Sequence, residues 1–351
     1  MQSLSRRHFT RTLLAGATAT AATGYASTLT AGPHRTLVLG GGPAGGACAL
    51  ALKRARPGDA VVLVERDPTR LAPAPRSAFT APRSAFTAPR AGITLDTLRD
   101  AGVEVMLDEA TEIDWRAARL ALFSGRSLAF DTLMLAPGTA PVPEDIPGLD
   151  AAAQHRWPAA WGSPRESARL SAALGALPDA GHVVLRLPAD LSHPEAALGR
   201  ALELAAWIDH HRPSARLSVL ESAQASLAEA YEARAASQGI RARVDWHTAR
   251  TGGRVLHLDA PNGMIETSGG VLQADVVNFV PPRSAGHIAL IGGLADASGW
   301  CPCDAQGRST LRDGAVILGD ARADAVRTRQ AALHSASVAL ENGARTGFGI
   351  A

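Results

Sequence analysis

Apolar residues fall along this chain in short runs closed by glycine or proline, and between the runs they recur at the three-and-four spacing of helices. Leu37-Val38-Leu39 and Ala60–Val64 read as buried strands on either side of an alanine-rich helical stretch. Beyond Glu65 the regular pattern stops, and it resumes with a helix over Ile93–Ala101. Strands follow at Val103–Leu107 and Arg119–Leu122, joined through Glu109–Trp115, and Ser127–Asp131 leads into an apolar strand at Thr132–Leu135. Pro141–Pro164, rich in Pro, Gly and Trp, reads as a linker. Past it, a helix at Arg165–Leu177, a strand at His182–Leu187, a helix at Ala196–His211 and a strand at Arg216–Leu220 alternate as in an α/β unit. Leu227–Gln238 is helical, and Arg243–His247, Arg254–Leu258, Met264–Thr267 and Val271–Gln273 predict a meander of short strands. Ala274–Pro282 then returns the chain to its first domain, where Ala315–Ala321 supplies a last apolar strand closing in Gly-Asp-Ala.

The chemistry sits at the ends of these strands. Gly40, Gly42 and Gly45, with Pro43 and Ala44 between them, have the G-x-G-x-x-G spacing of a dinucleotide-binding turn. The first glycine permits the tight turn, the second lets a pyrophosphate approach the backbone, and the third lets helix and strand pack closely. The helix that follows presents its N-terminus to the anion. Alone, such spacing is only a glycine-rich turn; Glu65, about twenty residues on at the end of the next strand, supplies the acidic side chain that binds ribose hydroxyls. Ala136-Pro137-Gly138 ends a strand as the second backbone contact does in two-dinucleotide flavoproteins, and in those proteins the aspartate of a motif like Gly319-Asp320-Ala321 binds the ribityl chain. The four signals in this order imply FAD. The second α/β unit should open with a glycine turn of its own if it bound a nicotinamide nucleotide. Leu187–Pro194 has two prolines and no glycine, so that unit is expected not to bind NAD(P)H.

Length and charge narrow the field further. A chain of 351 residues accommodates two domains, and 35 Lys+Arg against 33 Asp+Glu imply no nucleic-acid partner. No long uncharged segment in the body of the chain predicts a membrane span. Ser5-Arg6-Arg7-His8-Phe9, followed by the weakly apolar Leu13–Ala26, resembles a twin-arginine export signal, so residues 1–31 are read as a signal peptide and the mature chain as periplasmic. The other reading of this stretch is a basic tail. Ala74–Arg90 repeats Ala-Pro-Arg with seven-residue spacing, and its prolines predict an irregular cationic loop. Of three cysteines, Cys48 falls on the first helix as a small buried residue, which leaves Cys301 and Cys303 for chemistry.

Gly299-Trp300-Cys301-Pro302, with Val280–Gly286 before it and Gly319-Asp320-Ala321 after it, resembles the flavoprotein subunit of flavocytochrome c sulfide dehydrogenase. The resemblance covers about residues 35–325 and is most specific over Val280–Asp304. It implies oxidation of sulfide or a related sulfur compound, with electrons passed from FAD to a c-type cytochrome. In that family a redox disulfide lies on one face of the flavin, and Cys301 matches one of its two cysteines. The other is expected in the loop after His182–Leu187, where this chain has Leu191-Ser192-His193-Pro194. Either Cys303 substitutes through a small strained ring, or the disulfide chemistry is lost. His193 is a candidate to stabilise a Cys301 thiolate or protonate a leaving sulfur, or it is a surface-loop histidine. Some members attach FAD through a cysteine in the region that here holds the Ala-Pro-Arg repeat, so FAD is expected to be noncovalent. The family also continues further past the flavin-binding aspartate, so the C-terminal region is read as shortened.

The expected fold is α/β: an FAD-binding Rossmann-like domain (33–155 and 275–330) interrupted by a degenerate second Rossmann-like domain (156–274), with 331–351 a short C-terminal helix or tail. The alternative function is a non-catalytic or accessory FAD-binding relative that has lost one redox cysteine. An NAD(P)H-dependent disulfide reductase is the third reading, and Leu187–Pro194 argues against it.

Overall fold

The computed structural model describes residues 34–72 and 93–346. The twin-arginine motif, the Ala-Pro-Arg repeat and the last five residues lie outside the described residues. In chain order, β1 (Arg35–Leu39), α1 (Pro43–Ala55), β2 (Ala60–Glu65), α2 (Leu95–Asp100) and β3 (Glu104–Leu107) come first. Then follow β4 (Ala110–Asp114), β5 (Arg119–Leu122), β6 (Ser127–Ala129), β7 (Thr132–Leu135), β8 (Thr139–Pro141), α3 (Ala151–Arg156) and α4 (Pro164–Gly175). The middle of the chain holds β9 (His182–Leu187), α5 (Pro194–His211), β10 (Arg216–Glu221), α6 (Ala228–Gln238) and β11 (Arg243–His247). Next are β12 (Val255–Asp259), β13 (Met264–Thr267), β14 (Gly270–Gln273), β15 (Val276–Phe279) and β16 (Arg283–Ala285). The last elements are α7 (His287–Ile291), β17 (Ala315–Ile317) and α8 (Arg329–Thr346).

Five parallel strands form the first sheet in the order β17-β7-β1-β2-β3. Its strands are continuous apolar runs because both faces are covered. Side chains alternate across the pleat: Val38, Leu63, Met134 and Val316 face the layer that contains α1 and α8, whereas Leu37, Leu39, Leu135 and Ile317 face the antiparallel β4-β5-β6. Cys48 lies in the α1 layer, fully buried, and burial pushes its thiol up to about 12. The second sheet, β11-β10-β9-β15, is also parallel. Leu198, Ala201 and Ala205 of α5 pack on one face, and the β12-β13-β14 meander covers the other through Leu258 and Ile265. Among the described residues no helix is long and apolar enough to cross a membrane.

Several expected boundaries shift. Val276–Phe279 does not return the chain to the first sheet; β15 pairs with β9, Val276 beside Val183, so the second domain runs past residue 274. All four of its residues are buried, and Asp275 fixes the register by accepting the His182 N–H at 2.8 Å. The crossing back is made by the short antiparallel pair of β16 with β8. Arg243–His247 is likewise the parallel edge of the second sheet and not a strand of the meander. The Glu109–Trp115 connection contains β4, whose one buried side chain, Ile113, left almost no alternation to read. A helix, α3, interrupts the linker, capped by Asp150 accepting from the Ala153 N–H. The C-terminal helix starts at Arg329 and buries Ala332, Ala336 and Ala339 in the core shared with α1, so it is part of the first domain and not a tail. Small alanines let the two helices approach closely.

Candidate functional site

Because β1, β2, β7 and β17 run parallel, their C-terminal ends converge on one edge of the first sheet, where open α/β sheets bind ligands. Gly40 adopts φ +101°, and a Cβ built there would lie 2.2 Å from the Ala136 carbonyl oxygen. At Gly45 the added carbon would lie 1.9 Å from the Gly40 carbonyl oxygen. Gly40, Gly45 and Ala136 are therefore in mutual backbone contact that any side chain would push apart. Gly42 differs: the nearest atom to its added carbon is Arg70 Nη1 at 3.8 Å, so space is open in front of it. Gly42 caps α1 without a side chain and Pro43 brings no N–H. The Ala44 and Gly45 amides have no acceptor among the described residues, the first intrahelical bond being Gly46 N–H to the Gly42 oxygen. Glu65, 5% exposed, accepts the Gly41 N–H at 2.5 Å and the Asp67 N–H at 2.7 Å, which fixes the turn beside it.

On the other flank, Gly319 (φ +68°) seats against the first turn of α1, its added carbon 3.0 Å from Ala44 Cβ, and its N–H is held by Ser335 Oγ of α8. Gly138 (φ +63°) faces open space, and its carbonyl accepts the Gly286 N–H. Asp320 is half-buried, and its carboxylate has no hydrogen-bond partner among the described residues. Burial raises its pKa while Arg327 and Arg283 oppose the rise. An open phosphate-sized approach at Gly42, two unpaired amides at a helix start, a buried glutamate and an unpartnered carboxylate along one sheet edge fit an FAD. Gly42, Pro43, Ala44, Gly45 and Glu65 would hold its adenosine diphosphate end, and Asp320 its ribityl chain.

The sulfur side is arranged differently from expectation. Cys301 lies beside the Gly319–Ala321 turn, its N–H donating to the Ala321 oxygen and its carbonyl accepting from Ala323. The side chain is wholly buried, and burial, with Cys303 and Asp296 nearby, pushes its thiol up to about 12. Burial also raises Cys303, against the pull of Arg322. Both are free thiols. They bracket Pro302 in extended backbone, Cys301 bridged to Arg322 and Cys303 to Ser309. Residues two apart in such backbone stand about 6.5 Å apart, well beyond the ~3.8 Å between Cβ atoms that a disulfide needs. Cys303 does not replace the missing partner in this arrangement.

His193 is no surface-loop residue. It is 7% exposed at the start of α5, its Nδ1 hydrogen-bonded to Ser192 Oγ at 2.7 Å and its ring meeting Trp161 edge-on at 5.8 Å. Burial first, then Arg283 and Arg327, drive its pKa down to about 4. It is neutral at pH 7, so it supplies neither a cation to a thiolate nor a stored proton to a leaving sulfur. No hydrogen bond joins His193 to Cys301 among the described residues. Two arginines escaped the sequence reading. Arg283 clasps Thr139 through Nε and Nη2, both at 2.8 Å, and Arg327 lies 3.6 Å over the Trp300 ring with Nε on the Asp320 carbonyl. Single arginines carry no pattern; only their fold neighbours mark them.

This is the α/β, parallel-sheet architecture of the FAD-binding pyridine nucleotide-disulphide oxidoreductases, and residues 34–161 match that family's model. Residues 167–281 match the central part of the sulfide dehydrogenase [flavocytochrome c] flavoprotein chain. Three solved structures share the fold. One is the sulfide:quinone oxidoreductase from Aquifex aeolicus (TM-score 0.61, 17% identity, 90% of this chain and 78% of that one). Another is an NAD-dependent persulfide reductase from A. fulgidus (0.65, 18%, 90% and 60%). The third is the reduced Bacillus anthracis CoADR-RHD (0.64, 15%, 90% and 58%). The chain thus spans about three fifths of the length of two of these relatives.

Proposed function

We propose that this chain is an FAD-dependent oxidoreductase that oxidises sulfide or a related small sulfur compound and passes the electrons to a c-type cytochrome. The observation that carries the reading is the joint placement of the dinucleotide cradle and Cys301 at the Gly319–Ala321 turn, in a chain whose middle matches the sulfide dehydrogenase flavoprotein. FAD, when bound, accepts two electrons from sulfur and releases them singly. Cys301 is the thiol side of the site; Arg327, stacked on Trp300, donates to the Asp320 carbonyl of the same turn. FAD is held without a covalent bond, and the twin-arginine motif supports export to the periplasm already loaded.

One observation favours a second reading, an accessory FAD-binding relative without turnover. His193 occupies the loop where the second redox cysteine is expected, and Cys301 has no disulfide partner within reach. Anaerobic stopped-flow absorbance of the FAD-loaded protein decides between them. Rapid flavin bleaching by sulfide and none by NADH is the expected result. A flavin unmoved by sulfide would leave the accessory reading standing.

A further inference from the structure

The residues that follow β2 are tied down on both sides of Arg70. Glu65 accepts the Asp67 N–H at 2.7 Å, and Asp67 in turn accepts the Thr69 N–H at 3.0 Å and the Thr69 hydroxyl at 2.6 Å, capping the short turn Pro68–Leu71. Leu71 is buried against the glycine turn: a carbon built on Gly41 would lie 2.9 Å from Leu71 Cδ2. Arg70, between these two anchors, is exposed, and its Nη1 is the nearest atom to a carbon built on Gly42, at 3.8 Å. The guanidinium therefore stands at the rim of the open space in front of Gly42, where α1 begins.

Charge makes this placement informative. The amides of a helix start carry partial positive charge, and α1 has no acidic residue in its first turn. A cation beside such a start is unfavourable unless an anion joins them. Arg70 makes no side-chain hydrogen bond or ion pair among the described residues. Its neighbours Glu65 and Asp67 are taken up by backbone N–H groups and by Thr69. What is missing is an acceptor with several negatively charged oxygens, able to take the Ala44 and Gly45 amides and the guanidinium together.

We propose that Arg70 is a binding residue for the diphosphate of the dinucleotide, closing the solvent side of the cradle. The role rests on reading this sheet edge as an FAD site. Adenine, the ribose and the oxidised flavin ring are uncharged, so Arg70 acts through the diphosphate alone. Because the guanidinium is exposed, its contribution weakens as ionic strength rises.

The test follows release of flavin from the FAD-loaded full chain after dilution, read as the rise in flavin fluorescence at low and at high salt. In low salt Arg70→Gln should release FAD about tenfold faster than the unaltered protein, and Arg70→Lys, which keeps the charge, should fall between them. In high salt the three rates should converge. Release from Arg70→Gln no faster in low salt overturns the proposal. Release faster by one factor at both salt concentrations also overturns it, assigning Arg70 a merely structural role in the turn. Should Arg70→Gln purify without flavin, calorimetric titration with ADP and with adenosine replaces the release assay. Weakened ADP with unchanged adenosine supports the role, and equal weakening of both overturns it. An unaltered protein that binds neither FAD nor ADP would overturn the cofactor reading and the proposal together, whereas failure confined to the Arg70 variants strikes only the proposal.

Discussion

The two parallel sheets begin alike and diverge at one loop. In the first, β1 ends in Gly40, whose φ of +101° and lack of a Cβ let the turn press on Ala136, and α1 then starts with unpaired amides facing open space. In the second, β9 ends at Leu187, and Pro188–His193 leads into α5 with a buried imidazole at the helix start. Each unit also closes its second strand on a buried glutamate. Glu65 accepts backbone N–H groups of the glycine turn and its own loop. Glu221, fully buried, is spent internally on Ser226 Oγ, the Leu227 N–H and the Trp246 indole N–H. Both helices start without a side-chain cap, so the difference is what stands before them: a glycine with open space in the first unit, a buried imidazole in the second. The difference lies in a handful of loop residues, not in the sheet.

Substitution at the two loops should separate the halves most strongly. Gly40→Val drives a side chain into the Ala136 carbonyl and should yield protein purified without flavin absorbance, whereas Ala189→Val, at an exposed position in the corresponding second loop, should retain full FAD. Equal FAD content in both variants would sink the assignment of the cradle. Cys301→Ser should abolish sulfide-dependent flavin reduction while FAD stays bound, and Cys303→Ser should preserve reduction; unchanged reduction in the first removes Cys301 from the chemistry.

The glutamates give a finer contrast. Glu65→Ala should weaken FAD binding about ten- to a hundredfold by freeing the turn, measured by flavin fluorescence titration. Glu221→Ala should leave that affinity alone and cost about 1–2 kcal/mol in urea unfolding, because a fully buried acceptor shared by three partly buried donors is lost. A loss of FAD affinity in the second as large as in the first would erase the contrast.

The smallest effect is a pH slope. The folded chain holds His193 neutral down to about 4, while the unfolded imidazole titrates near 6.5, so the unfolded state binds more protons between those values. Stability is fully present above pH 6.5 and falls by on the order of 2 kcal/mol as pH drops toward 4. His193→Gln should flatten the slope of urea-derived stability across that window; an undiminished slope would place the titration elsewhere.

The α/β class, the parallel strands of the first unit and the glycine turn were legible because each rests on neighbours in sequence. β5, β9, β11 and β13 coincide in range with the apolar runs that predict them. The domain boundary was not legible: Val276–Phe279 is buried on both faces, and its tie to the second sheet comes from Asp275 docking on His182 and from Asn278 bonding to Arg200, Pro158 and Ala159. The strand β4 escaped because one buried side chain in five residues makes no period. At the site, the cradle could be read, whereas Arg283 and Arg327 could not, since each acquires meaning from Thr139, Trp300 and Asp320 far away in the chain.

By itself the sequence determined the turn that can admit a dinucleotide, the acidic residue about twenty positions on at the end of the next strand, and the absence of such a turn in the second unit; that this glutamate braces the turn came from the structure. These are matters of backbone freedom and of donors missing or present within a few residues. Tertiary structure alone decided that His193 is buried and neutral, that Cys301 and Cys303 stand too far apart along extended backbone to be bridged, and that Trp161 is held against α5. Burial, charge and reach are set by what packs around a residue, and those neighbours come from segments that the linear order keeps distant.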